Sequence, residues 1–117
     1  MPGTFAVDAR EVGQVGVLTT EGYINNLGAD KIVDVCSSLQ EQGVDRFLIN
    51  LEKSRLVNSI GISILIELIE NVIGGDGRIG FCCATPTIEK TFKIMGLLQR
   101  AQVYGTEDDG LADLSDN

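Results

Sequence analysis

The feature that most constrains this chain is an apolar stretch between residues 56 and 73 that opens with two small polar residues. Asn58 and Ser59 can each accept a hydrogen bond from the unpaired N–H groups of a first helical turn, which predicts that a helix starts there. Seven apolar residues then cover most of the helix circumference: Ile62, Leu65, Ile66, Leu68, Ile69, Val72 and Ile73. The polar residues fall on one narrow stripe: Ser63, Glu67, Glu70 and Asn71. Such a helix is mostly buried, so its N-terminus must lie at a fixed place on the surface of a packed domain.

Length and charge exclude several classes of function. The chain has 117 residues and reads as one domain, with a net charge of −8 from nine basic and seventeen acidic residues. That charge repels phosphate backbones and anionic lipids, so we expect neither nucleic-acid nor membrane-surface binding. The apolar runs are too short and too interrupted to span a bilayer. Residues 1–4 carry no basic start or apolar signal core, which predicts a cytoplasmic protein.

The reactive residue types are sparse. The absence of histidine removes the commonest general base and the commonest zinc ligand. The three cysteines, Cys36, Cys82 and Cys83, are interpreted as small buried apolar residues, and the last two should point to opposite faces of a strand. We therefore predict no metal site, no cofactor and no enzymatic activity.

Hydrophobic periodicity predicts a ββαβαβαβα order of elements. Strands are expected to begin near Phe5, Val15, Arg46, Arg78 and Ala101. Helices are expected after caps at Asn25 or Asn26, at Asn58 or Ser59, at Thr85 and at Thr106. The inner face of the first helix is predicted to hold Leu27, Ile32, Val35, Cys36 and Leu39, and that of the third Ile88, Phe92 and Met95. This order predicts an α/β domain with a mixed four- to five-stranded sheet and helices mainly on one face.

Several charged or glycine-rich segments have a structural interpretation that we favour. The loop 74–77 precedes a strand rather than a helix and is predicted to be a turn, not a phosphate loop. Glu67 and Glu70 have no histidine partner and are interpreted as a solvated stripe. The acidic segment 107–116 is interpreted as a solvated end. Arg55 is either an exposed loop charge or a contact for a phosphate or an acidic partner.

Ser59 allows two interpretations. As a helix cap, its hydroxyl is worth about 1 kcal/mol. As a modification site, it would carry a phosphate of about −1.5 to −2 charges at a helix N-terminus, which tolerates an anion. A phosphate there would change the charge of the surface without unfolding the domain, and would repel a partner that docks on it.

Four segments resemble motifs of one family. The segment 57–62, V-N-S-I-G-I, is similar to the M-D-S-[ST]-G-L segment of STAS domains, the anti-sigma factor antagonist family. Segment 22–25 (G-Y-I-N) resembles the family's G-[ED]-[IL]-D turn, and segment 50–52 resembles the end of its central strand. Segment 92–97 (F-K-I-M-G-L) resembles its L-F-x-x-x-G-L motif. The resemblance implies a single STAS-like domain over residues 1–117, with a core from about Thr4 to Leu114.

The resemblance also implies a function. A bacterial protein of this family binds an anti-sigma factor that is itself an ATP-dependent serine kinase, in a partner-switching pathway of transcription regulation. The kinase phosphorylates the serine at the position of Ser59, and a phosphatase reverses the modification. The residues so implicated in partner binding are Asn25, Asn58, Ser59, Ile60 and Gly61.

This sequence departs from the family motif at several positions. Asn58 and Asn25 replace aspartates, Tyr23 replaces an acidic residue, and Ile60 replaces a small hydroxyl residue. Divergence of this kind resembles STAS relatives that act as unphosphorylated interaction subunits of a transporter or a signalling scaffold. That role stays open as the alternative.

Overall fold

The computed structural model describes residues 5–116, so the predicted start of the core at Thr4 lies outside the described residues. The strands are β1 Ala6–Val12, β2 Val15–Glu21, β3 Arg46–Lys53, β4 Arg78–Cys82 and β5 Gln102–Tyr104. The helices are α1 Asn26–Glu41, α2 Ser59–Gly74, α3 Pro86–Ile94 and α4 Glu107–Ser115, with a short 3-10 helix Leu97–Gln99 after α3. The predicted order of elements is therefore confirmed.

The five strands form one sheet in which spatial order equals chain order. β1 and β2 form an antiparallel hairpin through Gly13, whose φ of 60° suits glycine. β2, β3, β4 and β5 run parallel to one another, because a helical crossover joins each of these strands to the next. The predicted mixed sheet is confirmed, with five strands.

The two faces of the sheet are covered unequally. α1, α2 and α3 pack on one face, over a cluster that includes Phe47, Ile49 and Phe81. Of the helices within residues 5–116, α4 is the one that packs on the other face, over a smaller cluster: Val15, Val17, Leu48, Cys82 and Leu114. β3 is buried on both faces, as its continuous apolar run predicts. Helices thus lie mainly on one face, as expected.

α2 is the helix that the sequence places at the centre of the domain. Its buried residues are Gly61, Ile62, Leu65, Leu68, Ile69 and Val72. The predicted polar stripe is exposed along its whole length: Ser63, Glu67, Glu70 and Asn71. None of the helices within residues 5–116 is both long and apolar enough to cross a bilayer.

The acidic C-terminal segment is only in part the solvated end that the sequence predicts: Asp108, Asp109 and Asp116 are exposed, whereas Glu107 and Asp113 are half-buried. Its residues 107–115 form α4, whose first residue, Glu107, is paired with Arg10 of β1 and accepts a hydrogen bond from Asn50 Nδ2 (2.9 Å). At the other end, Arg78 Nη1 donates to the Asp113 carbonyl oxygen (2.8 Å). Tertiary contacts at both ends therefore hold α4 on the sheet.

One local prediction at the end of β4 and one at the end of α3 were wrong. β4 ends at Cys82 because Cys83 has a φ of 63°, so its side chain does not alternate to the opposite face and packs beside the same cluster as Cys82. Met95 is 38% exposed rather than buried, since α3 ends at Ile94 and the chain turns at Gly96, where φ is 83°. Cys36 and Cys82 are buried free thiols, as predicted, and Cys83 is half-buried.

Candidate functional site

The N-termini of α1 and α2 lie side by side at one edge of the molecule. The segments that precede them form a parallel β-bridge between Ile24 and Val57. Ile24 N donates to the Leu56 carbonyl oxygen (2.9 Å), and Asn58 N donates to the Ile24 carbonyl oxygen (3.1 Å). Because backbone hydrogen bonds tie the two segments together, the residues that start both helices share one surface.

Gly61 makes this close approach possible. A Cβ atom placed on Gly61 would lie 2.5 Å from the Ile24 carbonyl oxygen and 3.2 Å from that of Asn25. Gly61 is itself buried. Gly61 is one of the residues predicted to bind a partner, and it lies beneath the surface that the two helix starts form.

Both helices are capped by asparagine in the same way. Asn25 Oδ1 accepts a hydrogen bond from Gly28 N (3.0 Å), and Asn58 Oδ1 accepts one from Gly61 N (2.7 Å). The structure therefore selects Asn25 over Asn26 as the cap of α1, and Asn58 over Ser59 as the cap of α2. An asparagine side chain performs this role as well as the aspartate of the family motif.

Ser59 is the first residue of α2, and its side chain is exposed. Within residues 5–116 no partner accepts from or donates to its hydroxyl group; only its carbonyl oxygen is engaged, by Ser63 Oγ (3.0 Å). The interpretation of Ser59 as the helix cap is therefore wrong. The residue lies at the positive end of a 16-residue helix.

Exposed apolar side chains flank the two paired helix starts. They are four large side chains, which we call the Ser59 surface: Tyr23 (39% exposed), Leu27 (65%), Leu56 (64%) and Ile60 (58%). Clustered exposed apolar side chains of this kind mark protein interaction sites. Asn25, Asn58 and Ser59 lie among them.

Three members of the Ser59 surface, Tyr23, Leu27 and Leu56, are absent from the predicted partner-binding residues. Leu27 was assigned to the inner face of α1, yet at 100° per residue it lies about 140° around the helix from the buried Ile32. That angle was available from the sequence. Leu56 precedes α2 in an irregular loop, and only the bridge to Ile24 places it at the surface.

The loop that presents Ser59 is anchored from below by buried hydroxyl groups. Thr20 Oγ1 and Ser54 Oγ lie 2.7 Å apart, and both residues are fully buried. Asn50 Oδ1 accepts a hydrogen bond from Glu52 N (2.9 Å). Buried polar pairs of this kind fix a loop because an unpaired hydroxyl would be costly there. Arg55 is exposed at the start of the same loop.

The sequence matches the STAS domain family over residues 6–110, which is most of the chain. The protein therefore belongs to the STAS domain family, as its motifs predicted. Its fold class and its element order are those of this family.

Solved structures with the same fold include several anti-sigma factor antagonists. One from Mycobacterium paratuberculosis superposes with a TM-score of 0.86 at 21% identity, over 99% of this chain and 98% of the other. The antagonist SpoIIAA in its unphosphorylated form gives a TM-score of 0.74 at 18% identity, covering 96% of this chain and all of the other. The Bacillus cell fate determinant SpoIIAA in its phosphorylated form gives 0.72 at 20% identity, over 92% and 98% of the two chains.

Proposed function

We propose that this protein is an anti-sigma factor antagonist of the bacterial cytoplasm, controlled by phosphorylation of Ser59. The observation that carries the proposal is that Ser59 is exposed, does not cap its helix, and lies at a helix start flanked by exposed apolar side chains. Membership of the STAS family and the likeness to antagonists solved in unphosphorylated and phosphorylated forms support it.

In this proposal the unphosphorylated protein binds a serine-kinase anti-sigma factor through the Ser59 surface, with Asn25 and Asn58 as polar contacts. Apolar side chains such as Ile60 and Leu27 supply the desolvated contact area. The kinase transfers the terminal phosphoryl group of ATP to the Ser59 oxygen and releases ADP and the hydroxyl proton. The added charge then repels the partner. A phosphatase restores the binding form. The protein is a substrate and a binding module and catalyses no reaction itself.

The test uses the serine-kinase anti-sigma factor, ATP and mass spectrometry. We expect one phosphate on the wild-type protein and none on Ser59→Ala. The matched control is Ser63→Ala, because Ser63 is also exposed and lies one helical turn further along α2. A phosphate retained in Ser59→Ala would overturn the assignment of the site.

A second candidate function is a constitutive interaction subunit of a transporter or a signalling scaffold. The observation that favours it is Ile60, which is 58% exposed where the family motif has a small hydroxyl residue. In that role the apolar Ser59 surface binds its partner permanently. The affinity of Ser59→Asp for the isolated partner separates the two functions. Regulation by phosphate predicts at least a tenfold loss of affinity, roughly 1.4 kcal/mol. A constitutive subunit keeps its affinity.

A further inference from the structure

A groove with an apolar floor lies between α1 and α2, away from the sheet. Its volume is about 330 Å³. Val33, Ile64 and Leu68 form the apolar part, and the acidic side chains Asp30 and Glu67 lie beside them. At the far end, Gln40 Nε2 donates to Asn71 Oδ1 across the two helices (3.4 Å).

The groove continues the Ser59 surface. Leu27 precedes Asp30 by three residues on α1, and Ile60 precedes Ile64 by four on α2, so each pair shares one helix face. From Leu27 to Ser37, which lines the groove, the helix rises about 15 Å at 1.5 Å per residue. The combined surface is therefore long enough to lie along roughly three turns of a third helix.

The charge of the groove is uncompensated within the described residues. Asp30 and Glu67 are exposed, and neither belongs to an ion pair formed by residues 5–116. α2 has no lysine or arginine, and the single lysine of α1, Lys31, directs its Nζ to the Phe5 carbonyl oxygen (3.3 Å). Within residues 5–116, neither helix that forms the groove therefore supplies a cation that pairs with Asp30 or Glu67.

We propose that the groove is the docking site for a basic amphipathic helix of the partner protein. Its apolar side chains would pack on Val33, Ile64 and Leu68, and its lysine or arginine side chains would pair with Asp30 and Glu67. The proposal extends the Ser59 surface and rests on the proposed function only for the identity of the partner.

The test uses a fluorescein-labelled 14-residue amphipathic peptide of leucine and lysine, with a leucine and glutamate peptide of the same pattern as its counterpart. We expect the basic peptide to bind the full-length protein in fluorescence anisotropy and the acidic peptide not to bind. Asp30→Lys/Glu67→Lys should weaken binding of the basic peptide about tenfold or more. The control of equal net charge is Asp8→Lys/Glu11→Lys, which alters two exposed residues on β1.

NMR locates the bound peptide. Amide shifts confined to the helix faces around residues 27–37 and 60–71 support the proposal, whereas shifts spread over the acidic surface overturn it. No binding of the basic peptide, or an equal loss in the β1 control, also overturns it.

A second copy of this protein is the competing occupant, because α3 exposes Lys90, Lys93 and Ile94. Self-association that is removed by Lys90→Glu/Lys93→Glu would assign the groove to that contact instead.

The kinase test at Ser59 and the peptide test are independent. If the peptide bound in the groove but the kinase never phosphorylated the protein, the proposed function would be refuted. The groove would still be supported as a docking site.

Discussion

Gly61 is the residue at which the starts of α1 and α2 touch. Gly61→Ala places a methyl group 2.5 Å from the Ile24 carbonyl oxygen, so the backbone must move and the bridge between Ile24 and Val57 must loosen. We expect this variant to lose about 1–3 kcal/mol of unfolding free energy, measured by urea titration. Gly74→Ala is the control within the same helix, because a methyl group there meets no atom within 4 Å. Equal stability of the two variants would contradict the role of Gly61.

Asn58 and Ser59 are adjacent, but only the side chain of Asn58 caps α2. Asn58→Ala removes the side chain that accepts from Gly61 N and should cost about 1 kcal/mol. Asn58→Asp keeps the acceptor and should retain most of the wild-type stability. Ser59→Ala should stay within about 0.5 kcal/mol of wild type, because its hydroxyl caps nothing in residues 5–116. Thermal unfolding of the three variants checks this order, and a larger loss in Ser59→Ala than in Asn58→Ala would reverse the assignment.

At the scale of elements, local signals in the sequence predict most of the fold. Asn58, Thr85 and Thr106 each cap the helix expected to follow them. Gly43, just after α1, has a φ of 95°, as glycines that end helices commonly do. Such caps and turns depend on side chains within three or four residues, so one sequence reveals them. The same kind of local signal predicts that Asn58 and Ser59 lie at the start of α2.

What depends on distant contacts was not predictable. Nothing in the sequence around Glu107 indicates that it meets Arg10 and Asn50, which are 97 and 57 residues away. Leu56 belongs to the Ser59 surface only because Ile24 pairs beside it. Cys83 leaves its strand in a backbone conformation that non-glycine residues adopt rarely.

The contacts of α4 make part of the stability depend on pH. Hydrogen bonds from Arg10 and Asn50 lower the pKa of Glu107 below its ordinary value of 4.5. In this acidic range the unfolded chain binds a proton at Glu107 before the folded protein does. Stability is therefore lost as the pH falls from about 4.5 through the lowered pKa of the folded state.

Glu107→Gln should remove this contribution. Because the pair with Arg10 is partly exposed, its contribution to stability is small. We expect the unfolding free energy of the variant to fall less between pH 6 and pH 3 than that of the wild type, by about 1 kcal/mol or less. Urea unfolding at pH values from 3 to 6 measures it. Asp108→Asn is the control for removing a carboxylate from the same helical turn, and a change of equal size there would contradict the assignment to the Arg10 contact.

At the scale of the whole molecule, the position of Ser59 separates recognition from folding. Ser59 is exposed at the start of α2, while the apolar face of this helix is buried in the core with residues of α1 and the sheet. A negative charge at this first helical position faces the unpaired N–H groups and the positive end of the dipole, so it should stabilise the folded state by about 0.3–1 kcal/mol. Ser59→Asp should therefore melt at or slightly above the wild-type temperature.

The rest of the Ser59→Asp molecule should be unchanged. We expect its amide NMR shifts to differ from wild type only near the two helix N-termini, with β3 and α4 unaffected, because the charge is added outside the packed core. Ser63→Asp, one turn further into α2, is the matched control for a new surface charge. If Ser59→Asp lowered the melting temperature or moved shifts across the sheet, a phosphate there would act by changing the fold. Unchanged shifts combined with a loss of partner binding would instead mean that the added charge acts at the contact itself.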